Sequence, residues 1–154
     1  MRKRSKYRPK GVRLDPIRYV LEGMKPMSSH PAALTLRIKN HQALHEIVHG
    51  HGTRDDMDIL IAAMNMAEAL AMVNPDKLGA DMRKDINAAQ SAVLTMARRG
   101  VERNRFLFTG QELTTVNAAM EIHDAQLDAC SIAELEKATD LVIKTIQYKK
   151  ATVI

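Results

Sequence analysis

From Met57 to Val73 the chain reads Met-Asp-Ile-Leu-Ile-Ala-Ala-Met-Asn-Met-Ala-Glu-Ala-Leu-Ala-Met-Val, with Asp58, Asn65 and Glu68 as its polar positions. At about 100° per residue, Met57, Leu60, Ile61, Met64 and Ala71 fall on one side of a helix, and Ile59, Ala63, Met66, Ala67 and Leu70 on another. Two apolar faces need two sets of partners, so the pattern predicts a central buried helix with other helices packed around it. The segment is too short and too polar for a membrane span, which takes about 20 largely apolar residues. No membrane partner is expected.

The flanking segments supply those partners. Asp15-Pro16 reads as an N-cap and first helical position, followed by a short apolar face of Ile17, Val20 and Leu21 that ends at Gly23. The connector Lys25 to Pro31 cannot continue a helix. From Pro31 to His49 the period is helical again. Leu34, Ile38, Leu44 and Val48 share a broad inward arc with Leu36, Ala43 and Ile47, while Thr35, Lys39, Gln42 and Glu46 face away. Gly50 and Gly52 stop this helix, and Thr53 with Asp56 forms the capping box that opens the central one.

Asn74-Pro75 starts another helix, in which Gly79 is either an interruption or a costly early position. Met82, Ile86, Ala89, Val93 and Met96 form its stripe, which ends at Arg98-Arg99-Gly100. Arg103 to Thr109 holds both phenylalanines and reads as extended, too solitary to make a sheet. Thr109 with Glu112, and Ser131 with Glu134, are two further capping boxes. The first opens a helix with Leu113, Val116, Met120, His123, Leu127 and Cys130 on one stripe. The second opens a helix whose Ile132, Leu135, Ala138, Val142 and Ile146 face inward, while Lys137, Asp140, Lys144 and Gln147 face out; fraying is expected after Tyr148-Lys149-Lys150. The predicted class is all-α: a compact bundle of five to six helices around a central apolar helix.

Composition refines this picture. With 154 residues and 45% apolar content, one domain is expected, and 10 methionines against 3% aromatics imply an adaptable aliphatic core lined by small residues. The single cysteine allows no intrachain disulfide, and no secretory signal is visible, so a cytoplasmic protein is expected. The net charge of +5 is unevenly spread. Seven cations and no acid lie between Met1 and Arg13, leaving 16 of the 23 cations and all 18 acids, a balance of −2, for the remainder. Residues 1–14 therefore form a basic arm, disordered in isolation, and residues 15–154 a single helical domain.

Several constellations could carry chemistry. His41, His45 and His49, with His51 nearby, repeat every four residues, a spacing at which two imidazoles on one helix can share a divalent metal. Gln42 follows His41 where a catalytic zinc motif needs Glu. Structural histidines packed against the central helix are the simpler expectation, with a His-based metal-binding protein as the alternative. Asn117, Glu121, Asp124 and Asp128 stack on one helix flank; three carboxylates could bind a hard cation, but a salt-bridged face is the plainer reading. Asn65 and Glu68 need buried partners, for which His41, His45 or His123 are candidates. Cys130 reads as a small buried hydrophobe. No phosphate loop, nucleophile elbow or cysteine pair occurs. No catalytic residue, cofactor or metal is expected, and the protein reads as a non-enzyme.

Charge remains. Arg2, Lys3, Arg4, Lys6, Arg8, Lys10 and Arg13, with Tyr7 as a stacking group, could follow a phosphate backbone or an acidic protein surface. Arg98, Arg99, Arg103 and Arg105 add a second basic cluster near a loop.

The opening Met-Arg-Lys-Arg-Ser-Lys-Tyr-Arg-Pro-Lys, the run from Leu36 to His41, Ile59 to Leu70, and Glu121 to Cys130 together resemble a family of small uncharacterised proteins encoded by bacteriophages and prophages of Gram-negative bacteria. The resemblance spans most of the chain and carries neither an activity nor functional residues. It implies an accessory protein that binds and regulates or inhibits a macromolecule, either a host factor or a defence complex such as CRISPR. The alternative is a nucleic-acid-binding protein using the basic arm, and a homodimer stays open.

Overall fold

The computed structural model describes residues 16–148. The basic arm and the proposed cap at Asp15 lie outside the described residues. Within them the chain forms α1 (Pro16–Gly23), α2 (Pro31–Val48), α3 (Arg54–Val73), the single turn α4 (Pro75–Leu78), α5 (Arg83–Arg103), α6 (Gly110–Ala129) and α7 (Ile132–Gln147). Short 3-10 turns occupy Met27–Ser29 and Ala80–Met82. No strand forms among the described residues, so the all-α bundle is the observed architecture.

The central helix is the expected one. α3 packs against α2, α4, α5, α6 and α7, and Met57, Leu60, Met64 and Leu70 are fully buried. Burying each such side chain contributes roughly 1.5–3 kcal/mol. Ala63, Ala67, Ala89, Ala97 and Ala119 are buried between the helices, where small side chains let the backbones come close. All three capping boxes form, at Thr53, Thr109 and Ser131.

Several boundaries and faces differ from expectation. Gly79 adopts φ 95°, the left-handed region that only glycine enters cheaply, and so it breaks α4 from α5. Met82 is consequently exposed rather than part of the α5 stripe. α5 runs through Gly100 to Arg103 and stops at Asn104, φ 51°. Gly100 is needed there because the Phe106 ring lies on it: a Cβ at this position would sit 2.2 Å from Phe106 Cδ1. The extended segment after Asn104 thus folds back on α5 through Phe106.

Two helices expose residues that the pattern turns inward. On α2 the buried side is Ala33, Asn40, Ala43, Leu44 and Ile47, and Leu34, Ile38 and Val48 face solvent. On α7 only Ala138 is fully buried, and Ile146 is exposed.

Polar groups lock the bundle. Gln126, buried on α6, donates from Nε2 to the carbonyls of Ala67 (3.0 Å) and Leu78 (2.8 Å), tying α6 to α3 and α4. Glu134 accepts from Ser131 N–H (2.8 Å), Asn74 Nδ2 (2.7 Å) and Lys77 Nζ (2.9 Å). Burial raises the Glu134 pKa, but these donors outweigh it and hold it down at about 2.

Candidate functional site

α2 is fixed to α6 by ions. Arg37 Nη2 donates to Asp128 Oδ1 (2.7 Å) and to the Asp124 carbonyl (3.1 Å), and its Nε lies 3.4 Å from Asp124 Oδ1. His41 Nε2 lies 2.7 Å from Asp124 Oδ2. The acidic row of α6 is therefore engaged by cations at Asp124 and Asp128, while Glu121 and Asn117 are exposed. None of His41, His45 and His49 packs into the core, a correction to their expected place against the central helix. The His45 and His49 rings stack with centroids 4.0 Å apart, and His49 Nδ1 lies 2.8 Å from the His45 carbonyl. His51 lies 3.9 Å from Glu46. Among the described residues no group of three or more His, Cys, Asp and Glu side chains is placed to hold a metal ion.

Anchored this way, α2 turns a straight stripe outward. Leu34, Ile38, His41, His45 and Val48 are spaced four, three, four and three, the seam spacing of a helix that packs on another helix. Leu34 is 64% exposed, Ile38 56% and Val48 42%. The seam is about 21 Å long. The apolar positions of α2 occur all round the helix, so periodicity alone could not assign this arc to solvent.

The second basic cluster divides. Arg99 makes a two-pronged ion pair with Glu112 (3.0 and 2.7 Å) and also donates to the Leu107 carbonyl (2.8 Å), so it clamps the α5–α6 loop. The hydrogen bonds from Arg99, against the cost of burial, hold the Glu112 pKa below its usual value. Arg98, Arg103 and Arg105 are exposed, but Arg98 and Arg103 are separated by about 140° around α5 and share no face. Arg2, Lys3, Arg4, Lys6, Tyr7, Arg8, Lys10 and Arg13 lie outside the described residues.

A groove of about 310 Å³ lies between α3, α5 and α7. Asn65 and Glu68 reach it, and their partner is not a histidine. Gln90 of α5 donates to Asn65 Oδ1 (3.2 Å) and Glu68 Oε2 (2.8 Å), with Arg83 3.6 Å from Glu68 Oε1. Sequence reasoning missed Gln90 because it falls off the apolar stripe of its own helix.

Nucleophile chemistry finds little footing. Cys130 is buried, and burial pushes its thiol pKa up, the reverse of an activated thiolate. His123 is fully buried on α6, and neither ring nitrogen meets a partner at hydrogen-bond geometry. Burial drives its pKa below 6.5, against the nearby Gln126 amide and Asp124 carboxylate; Arg37 and His41 add to the lowering. Gln126 at this seam was hidden in the sequence by its polar identity, although it stands three residues beyond His123 on the same buried stripe. No protein-family profile, curated protein or solved structure matches the chain.

Proposed function

We propose that this is a non-enzymatic accessory protein that binds a host protein, or a defence complex such as CRISPR, and regulates or inhibits it through the outer face of α2. The observation that carries this reading is the exposed seam of Leu34, Ile38, His41, His45 and Val48 on a helix pinned to α6 along the flank of that seam by the Arg37 and His41 contacts to Asp124 and Asp128. Exposed aliphatic groups at helix-packing spacing favour a protein partner, because a phosphate backbone gains nothing from them. A phage origin, suggested by the resemblance, fits such a role.

The test is recovery of partners from extract of a Gram-negative host after nuclease treatment, comparing the wild-type chain, Ile38→Glu and a chain lacking residues 1–13. One stoichiometric protein that survives nuclease and is lost with Ile38→Glu supports the proposal. Recovery that nuclease abolishes and that depends on the arm alone would favour nucleic-acid binding. Self-association of the purified chain, lost with Ile38→Glu, would assign the seam to a homodimer.

A further inference from the structure

α3 carries two polar residues, Asn65 and Glu68, whose hydrogen-bonding capacity the fold does not exhaust. Both line the groove between α3, α5 and α7, beside Gln90 of α5. The floor of the groove is Met64 and Ala69 of α3, and its walls are Val93 and Leu94 of α5 and Leu141 and Val142 of α7. Gln90 spends its Nε2 on Asn65 Oδ1 and Glu68 Oε2, which leaves Gln90 Oε1 and Asn65 Nδ2 with no partner among the described residues. Glu68 Oε1 has only Arg83, at 3.6 Å, beyond hydrogen-bond reach. Arg83 is exposed and does not line the groove, so this ion pair is a weak surface contact that a better donor can displace.

We propose that the groove binds a single-chain aliphatic primary amine in its protonated form, with the ammonium at Glu68 and the chain along the apolar walls. The polar groups decide the head. The free acceptors are Glu68 Oε1 and Gln90 Oε1, one of them charged, against the single free donor group of Asn65, so the head must donate and must be positive. A carboxylate head would meet Glu68 across the same space and be repelled. No aromatic ring lines the groove, so a quaternary ammonium, which has no N–H to donate, would find neither a hydrogen bond nor a cation–π face. The walls decide the tail. They are aliphatic, which suits an alkyl chain, and a volume of about 310 Å³ lies at the lower end of the range for small-molecule sites. The site is built from α3, α5 and α7 and makes no use of the α2 seam.

The experiment titrates the full chain with octylammonium chloride by calorimetry, with 1-octanol, octanoate and octyltrimethylammonium as comparisons. Octylammonium is expected to bind with one equivalent and at least tenfold more tightly than each of the other three. Glu68→Gln keeps the size of the side chain and removes its charge; it should weaken octylammonium at least tenfold and leave 1-octanol within about twofold. Thr145 is exposed at the groove, so Thr145→Trp should keep the wild-type circular dichroism and Tm while its ring fills the space, and should weaken octylammonium at least tenfold. The chain has no Trp, so Ile146→Trp, also on the groove, supplies a single indole whose emission should shift to the blue on octylammonium. Octanoate binding as tightly as octylammonium would overturn the proposal, because Arg83 would then be the head-group contact. So would equal binding of octyltrimethylammonium, binding indifferent to both Glu68→Gln and Thr145→Trp, or no binding by either readout. Self-association of the purified chain that Thr145→Trp abolishes would also overturn it, by assigning the groove to a second copy.

Discussion

α2 and α3 are neighbouring long helices, both rich in aliphatic residues, and the fold uses them in opposite ways. α3 packs against five other helices, with Met57, Leu60, Met64 and Leu70 fully buried and Ile59, Ile61 and Met66 half-buried. α2 offers α3 a strip of small and medium residues and leaves Leu34, Ile38 and Val48 outside. Aliphatic content is therefore a poor guide to stability in this chain. Apolar surface on α3, with Ala43, Leu44 and Ile47 of α2, holds the bundle together, whereas Leu34, Ile38 and Val48 on the outer side of α2 stand in solvent and contribute little to folding.

Substitutions should separate the two. Met64→Asp on α3 places an uncompensated charge in the core, at a cost of several kcal/mol against a typical domain stability of about 5–15 kcal/mol, and should abolish cooperative unfolding in a urea titration. Acid should act next. Burial keeps His123 neutral in the folded state, so below the ordinary value of 6.5 the unfolded chain binds the extra proton. Stability should accordingly fall as pH drops below 6.5, by at most roughly 1.4 kcal/mol per pH unit. Urea midpoints measured from pH 7.5 to 5 should decline for the wild type and stay flatter for His123→Met. A second loss, between pH 4.5 and about 2, belongs to Glu134, whose carboxylate is favoured only while folded, and Glu134→Gln should flatten that window.

Smaller effects follow nearer the surface. Gly100→Val must displace the Phe106 ring, costing about 1–3 kcal/mol and lowering Tm. Arg99→Met leaves the Glu112 carboxylate without its ion-pair partner and should cost about 1–3 kcal/mol, visible as a lower urea midpoint. Ile38→Glu should change stability by no more than about 0.5 kcal/mol. A large loss there would make the α2 seam part of the core's support and erase the contrast with α3.

The sequence displayed the parts of this fold that depend on local chemistry. The three capping boxes, the all-round apolar character of α3 and the buried nature of Cys130 are each written in adjacent or helically spaced residues. Long-range choices were less legible. Which arc of α2 turns inward is set by packing against distant parts of the chain, and the buried arc holds Ala33, Asn40, Ala43, Leu44 and Ile47 rather than Leu34 and Ile38. The partner of Glu68 came from α5, since Gln90 stands opposite it across a helix pair that no local pattern defines. The exposed seam itself is visible as a four-three repeat, but its exposure follows only from packing.

The claim that the outer face of α2 is a docking surface is tested most directly by photo-crosslinking from position 38. A photoreactive residue replaces Ile38 in one chain and the exposed Lys84 of α5 in another, and both are irradiated in nuclease-treated host extract. One discrete protein adduct is expected from position 38 and none of the same mass from position 84. Equal adduct patterns from the two positions, or no adduct from position 38, would contradict it.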